Sequence, residues 1–334
     1  MREKFKTLHN LIGNTPLLKI NYKYKGEARY LFAKAEYYSF SGSIKDRMAL
    51  NILERAYETN AIKEHDIIVE TTSGNTGIAF SALGAYLGHR VVIFMPDWMS
   101  EERIKLMTNF GAEIRLVSRK QDGFSGCLRL TEEFKNKYKA FCPYQFDNID
   151  NVESHFLTTA VEIDKQIVEF GVEVQAIVAG VGTGGTVMGL NKYFKPKGVK
   201  VHPLEPENSP TMSTGYKVGI HRIQGISDEF IPSIVKLDEL DNIVAVDDGD
   251  SIIMAKMLSE KFGLGVGISS GANFLGAVKI QNESPCNVVT IFADDNKKYL
   301  STALSNEEPV KPGFLSTDVE LISFEAIRCS RYFC

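Results

Sequence analysis

Twice in this chain a short apolar run empties without a linker into glycines and hydroxyls, and each time a helical pattern begins at once. The first run, 66–70, feeds Thr71-Thr72-Ser73-Gly74-Asn75-Thr76-Gly77. The second, 176–179, feeds Gly180-Val181-Gly182-Thr183-Gly184-Gly185-Thr186. A strand that turns directly into a helix is half of a βα unit, which needs a parallel neighbour to complete its hydrogen bonding. Short apolar runs at 90–95, 113–117, 199–205, 243–246 and 287–292 supply those neighbours, with helical patterns between them, and a strand pair at 17–21 and 30–36 comes first. Small residues (Ala79, Ser81, Ala82, Gly84, Ala85, Gly88) would let the helix after Gly77 sit close against a sheet. The pattern predicts an α/β chain of mostly parallel twisted sheets, each covered by helices on both faces.

With 334 residues there is material for two cores. A smaller α/β domain is expected over 45–150. A larger one combines 1–44 with 151–305, and 306–334 is a tail in which no element is expected. A long helix is expected over 151–170, and the stretch 211–233 is loop-rich and long enough to be functional on length alone. Hydrophobic and charged fractions of 44% and 24% fit an ordinary soluble protein. A net charge of -4 argues against nucleic acid or anionic membrane as partner. No apolar run reaches membrane-span length, and 1–14 lacks the apolar stretch of a signal peptide, so a cytoplasmic location is expected. Five scattered cysteines with no CxxC pair suggest reduced thiols. Six histidines with no HExxH leave no expected metal site.

Chemistry concentrates in three places. In Ser41-Gly42-Ser43-Ile44-Lys45-Asp46-Arg47 a turn enters a helix, with Ser43 as a candidate N-cap and Asp46 three residues on. That puts Lys45 in the first turn, beside the positive end of the helix dipole, where a cation is poorly placed unless its amine has a chemical use such as an imine. The glycines and threonines of 182–186 make a backbone cradle for an anion, though the run is neither a Walker motif nor the dinucleotide fingerprint. The run 72–77 has the same form and would hold a carboxylate. A lysine with two anion sites matches a cofactor bearing an aldehyde and a phosphate, and an amino-acid substrate: pyridoxal 5'-phosphate chemistry. Lys45 would then also serve as general base at the substrate α-carbon.

These motifs, in this order and with Gly267-Ile268-Ser269-Ser270-Gly271, resemble the cysteine synthase and cystathionine β-synthase family, the fold type II pyridoxal-phosphate enzymes. The resemblance runs from Asn14-Thr15-Pro16-Leu17 to Lys298-Tyr299-Leu300-Ser301-Thr302, and is strongest to O-acetylserine sulfhydrylase-like and sulfide-producing cysteine lyase members. It implies two three-layer α/β/α domains with the cofactor in the cleft between them, a mobile part near 90–135, and a homodimer. Lys45 would carry the cofactor as a Schiff base. Asn75 would meet the pyridoxal O3', Gly182, Thr183, Gly184, Gly185 and Thr186 would hold its phosphate, and Ser269 would bond the pyridine nitrogen. Thr72, Ser73, Thr76 and Gln145 would clamp the substrate carboxylate.

The family's chemistry is β-replacement through an aminoacrylate intermediate. One departure bears on which replacement. After His221-Arg222-Ile223-Gln224-Gly225, this chain has Ile226-Ser227-Asp228-Glu229-Phe230 where typical sulfhydrylases have small residues. A carboxylate at Asp228 would take a proton from incoming water or thiol and repel incoming hydrosulfide. The expected reaction therefore consumes L-cysteine, releases hydrogen sulfide and adds water, giving L-serine, or adds a thiol. The alternative is cysteine synthesis from O-acetyl-L-serine and sulfide. A second departure, Phe40-Ser41-Gly42 in place of an Asn-Pro, leaves the Lys45 register intact. His155, Cys127 and Cys142 read as packing residues.

Overall fold

The computed structural model describes residues 1–226 and 230–329. Ten strands form two sheets. The larger has the order β10-β1-β2-β9-β6-β7-β8 and the smaller β3-β4-β5. The strands are β1 (Leu17–Tyr24), β2 (Glu27–Ala35), β3 (Ile68–Thr71), β4 (Val91–Pro96), β5 (Glu113–Val117), β6 (Ala176–Gly180), β7 (Lys200–Pro206), β8 (Val244–Val246), β9 (Val288–Phe292) and β10 (Val319–Ile327). The helices are α1 (Arg2–His9), α2 (Lys45–Glu58), α3 (Asn75–Leu87), α4 (Glu101–Asn109), α5 (Gly123–Tyr138), α6 (Ile149–Ser154), α7 (Ala160–Glu169), α8 (Gly185–Phe194), α9 (Thr211–Thr214), α10 (Asp248–Phe262) and α11 (Ile268–Glu283). The smaller sheet is wholly parallel. In the larger one β10, β1 and β2 pair antiparallel, and β2 joins a parallel set through β9.

Strand alternation separates the cores, because successive side chains point to opposite faces. Ala176, Val178 and Leu204 pack with Met254, Ala255 and Phe274 of α10 and α11. Their neighbours Ile177, Val201 and Val289 pack on the other face with Ile163, Ile167 and Leu190 of α7 and α8. In the smaller sheet Ile68 and Ile93 meet Leu53, Phe80 and Leu83 of α2 and α3, while Val69, Val92 and Phe94 meet Cys127 and Phe134 of α5. Each sheet is thus the middle of three layers, and the parallel strand ends of both deliver their turns to the cleft described below.

Three sequence expectations change. The tail contains β10, which pairs along the whole of β1. The single helix expected over 151–170 is α6 and α7 joined by a π-helical turn, His155–Thr159. Ser43 is not the cap of α2. The capping position is Ile44 with no side-chain hydrogen bond, and the Ser43 hydroxyl accepts from the Lys45 N–H at 3.3 Å.

Candidate active site

Four helices, α2, α3, α8 and α11, begin on one cleft of about 840 Å³, presenting Lys45, Asn75, Thr186 and Ser269 to it. None of the four starts is capped by a side chain. A helix start leaves N–H groups without intrahelical partners and carries positive potential, so four uncapped starts converging on one space make it an anion receptor.

Lys45 opens α2 between two fixed neighbours. Asp46 accepts from the Ser41 N–H at 2.7 Å and the Ser41 hydroxyl at 2.5 Å; burial pushes its carboxyl up and those bonds oppose the push. Arg47 forks to Glu36 and Glu162, each at 2.7 Å, and Lys34 joins Glu162 at 2.7 Å. Burial opposes ionisation of Glu162, but Arg47 and Lys34 hold it well below the usual carboxylate range. These ion pairs lash α2 to β2 and α7, fixing where the Lys45 backbone stands.

The second wall is the loop after β3. Thr72, Ser73 and Thr76 line the cleft with Gln145. The Thr76 hydroxyl donates to Gln145 Oε1 at 2.5 Å, and Gln145 Nε2 donates to the Thr71 carbonyl at 2.5 Å. Beneath them Glu70 accepts from the Thr71 N–H at 2.8 Å and the Gln145 N–H at 3.2 Å. Asn75 Nδ2 donates to Asp294 at 2.7 Å, Asp294 also accepts from Tyr299 at 2.8 Å, and Asn75 Oδ1 is buried without a partner among the described residues.

The third wall is the turn after β6. Gly182, Thr183, Gly184 and Thr186 line the cleft. Gly184 is left-handed at φ 89°, which favours glycine. A Cβ on Gly182 would lie 2.3 Å from the Gly225 carbonyl, so the chain there closes to a distance no side chain allows. Gly185 lies behind this wall, where its Cα packs against Asn151. Ser269, in the first turn of α11, is the fourth contact.

The structure thus brings together Lys45, Thr72, Ser73, Asn75, Thr76, Gln145, Gly182, Thr183, Gly184, Thr186 and Ser269 on one surface. Asp228 lies outside the described residues, while Gln224, Gly225 and Ile226 just before it line the cleft. His155 is buried at the back of the site: burial, then the charges of Lys45 and Arg47, hold its imidazole well below its ordinary value and hence neutral. Cys127 and Cys142 are buried in the core beside the smaller sheet. Among the described residues no group of three His, Cys, Asp or Glu could hold a metal ion, and no helix is long and apolar enough to cross a membrane.

The sequence reading missed Arg103, Asn151, Asp294 and Gln224. Arg103 is buried in the cleft wall, stacks 4.5 Å from the Tyr299 ring centre, donates to Ser100 and Gln224, and among the described residues leaves its Nε without a partner. Gln224 sits in the His221–Gly225 stretch noted only as the lead to the acidic loop; no local motif marks the other three, and each matters through partners distant in sequence.

The site fits pyridoxal phosphate on its own chemistry: a lysine for the aldehyde, a glycine cradle for the phosphate, an unsatisfied buried amide oxygen on Asn75, and a hydroxyl on Ser269. Fold and site define a fold type II pyridoxal-phosphate enzyme, and residues 8–294 match the pyridoxal-phosphate dependent enzyme family, to which this chain belongs. Among curated relatives, a probable cysteine synthase of Bacillus subtilis (strain 168) is 38% identical over 302 residues, 88% of this chain and 96% of that protein. Among solved structures, a hydrogen sulfide-producing enzyme from Fusobacterium nucleatum is 55% identical with a TM-score of 0.95, covering 98% of this chain and 100% of that one. An aspartate-to-asparagine mutant of that enzyme, complexed with the α-aminoacrylate intermediate, is equally similar, with a TM-score of 0.96.

Proposed function

We propose that this enzyme takes L-cysteine and water to hydrogen sulfide and L-serine, with a thiol able to replace water as the entering group. The similarity to the sulfide-producing enzyme carries this reading: 55% identity over 98% of the chain, against 38% over 88% for the probable cysteine synthase. The acidic pair Asp228-Glu229 supports it, as does the use of an aspartate substitution in the neighbour that holds an aminoacrylate.

Pyridoxal phosphate, when bound, supplies an electron-withdrawing ring that makes the substrate α-proton acidic and the β-substituent a leaving group. The protein's part is positioning and proton transfer. Lys45 Nζ would bind the cofactor aldehyde and take the α-proton. Thr72, Ser73, Thr76, Gln145 and the N-terminus of α3 would bind the substrate carboxylate and so orient the amino acid. Ser269, a neutral hydroxyl toward the ring nitrogen, would keep the ring a weaker electron sink than a carboxylate partner would. Gly182 to Thr186 would hold the phosphate, and Asn75 the ring oxygen. Asp228 would accept the proton of the entering water.

A second reading, cysteine synthesis from O-acetyl-L-serine and sulfide, is favoured by the cysteine synthase relatives. Comparing kcat/KM for L-cysteine (sulfide and L-serine both measured) with that for O-acetyl-L-serine plus sulfide decides between them. A clear preference for L-cysteine is expected, with Asp228→Asn losing serine formation on the order of 100-fold, as for removal of a proton-transfer group. Preference for O-acetyl-L-serine would overturn the proposal.

A further inference from the structure

Behind the cradle lie two donors that neither contact the cleft nor belong to its loops. Asn151, buried on α6, donates through Nδ2 to Thr183 Oγ1 at 2.9 Å and to the Gln145 carbonyl at 2.9 Å. Its Oδ1 would lie 1.9 Å from a Cβ on Gly185, so the cradle backbone is packed directly onto this amide. One turn on, His155 faces Thr186 Oγ1 with Nε2 at 3.3 Å and Thr159 Oγ1 with Nδ1 at 2.9 Å. Thr159 is fully buried, and the imidazole is the hydrogen-bond partner its hydroxyl has among the described residues. A buried O–H left undonated is costly, so that hydroxyl donates to Nδ1. The neutral ring must then carry its proton on Nε2 and donate to Thr186. Thr159 stands four residues after His155, the helical spacing that brings two side chains together on one face.

A hydroxyl whose oxygen already accepts must aim its own hydrogen elsewhere. We infer that Asn151 and His155 are positioning residues that turn the Thr183 and Thr186 hydroxyl hydrogens into the cradle, so that both threonines meet the ligand as donors. Such an arrangement selects a fully ionised phosphate, which only accepts, and pre-pays the ordering of two rotors. The bond from Asn151 to Gln145 places the same amide under the carboxylate clamp. The inference rests on reading 182–186 as the phosphate site.

The test uses apoprotein and compares affinity for pyridoxal phosphate with affinity for pyridoxal, which lacks the phosphate. Asn151→Asp keeps the shape and replaces the donor by an acceptor, so Thr183 must turn its hydrogen away from the cradle. Pyridoxal phosphate affinity is expected to fall about 10- to 100-fold while pyridoxal affinity changes less than about 3-fold. In a Thr183→Ala background the same substitution is expected to cost less than about 3-fold, because the group it acts through is gone. His155→Leu is expected to weaken pyridoxal phosphate about 10-fold, and His155→Gln, which restores an N–H donor, to recover most of it. Equal losses for both ligands, or an Asn151→Asp cost unchanged in the Thr183→Ala background, would overturn the inference and leave the cradle standing. Wild-type apoprotein with no preference for the phosphorylated ligand would overturn both.

Discussion

Glu70, next to last in β3, lies beneath the loop that lines the cleft, and its carboxyl accepts from backbone N–H groups with no cation beside it among the described residues. Burial pushes it up to about 8 against the pull of the Thr71, Gln145 and Tyr144 amides, with Asp147 raising it further. The unfolded chain releases this proton near the ordinary glutamate value, whereas the folded chain keeps it. Between those two values the folded state binds the extra proton, so stability falls as pH rises from about 4.5 toward 8. Glu70→Gln removes that slope. Urea melts at pH 6 and pH 8 should show wild type losing about 2 kcal/mol relative to the variant across the interval, the contributions of His89 and His155 being common to both. At pH 6 the variant should lie within about 1 kcal/mol of wild type, since the protonated carboxyl, like the amide, offers one carbonyl acceptor to the N–H groups. An identical pH dependence in wild type and variant would show that Glu70 is ionised throughout. Because the Gln145 N–H donates to Glu70, ionisation here also bears on the Thr76–Gln145 pair proposed to orient the amino acid.

Among elements, α2 and β10 show how position is held. The helix that carries Lys45 owes its placement to Arg47, whose buried guanidinium binds carboxylates from two other parts of the fold. Arg47→Met strands Glu36 in the interior and leaves Glu162 with Lys34 as its cation. It should destabilise by about 3–5 kcal/mol at pH 7, the usual cost of removing one partner from a buried pair. Denaturant titrations should find the gap to wild type narrowing toward pH 4, where the stranded carboxylate takes up a proton. Strand β10 covers β1 from Leu17 to Tyr24. Ending the chain after Asp318 should expose the β1 amides that face it, and hydrogen exchange should show them losing protection while β6 and β9 keep theirs. Its sequence hid it: Val319 and Leu321 are buried, but beyond Leu321 both faces of the strand are largely exposed, so no two-residue alternation develops.

Across the whole molecule the cleft is bridged by α4. Ser100 donates to the Lys298 carbonyl at 2.9 Å, Glu102 accepts from the Ser301 N–H at 2.8 Å and its hydroxyl at 2.7 Å, and Arg103 stacks on Tyr299. These contacts tie the smaller-sheet half to the larger one across the mouth of the site. A bridge of this kind would keep stray water from the reacting carbon. Trp98, the chain's single tryptophan, stands just before α4 beside Gly123 and Arg119 and would report its movement. Adding L-cysteine to holoenzyme should change Trp98 emission. Glu102→Ala should weaken that response and raise KM several-fold with a smaller change in kcat, since the contact lies away from the reacting atoms. An unaltered response in the variant would mean that α4 does not govern closure.

Local order was legible from the amino acids themselves. Strand-to-glycine-to-helix junctions and the lysine at a helix start depend on neighbours in sequence, and from them came the α/β layering and the cofactor class, while Gln145 and Ser269 entered only through the family resemblance that the motifs carry. What lay beyond reach was every feature made by partners far apart along the chain. Asp294 reaches Asn75 across 219 residues, Asn151 reaches Thr183 across 32, and Arg47 reaches Glu162 across 115. A side chain's hydrogen-bonding role is set by what folding brings against it. Residue order alone therefore determined which groups are present and on which kind of element. Only the folded chain decided which of them face one another, and so which protons point at a ligand.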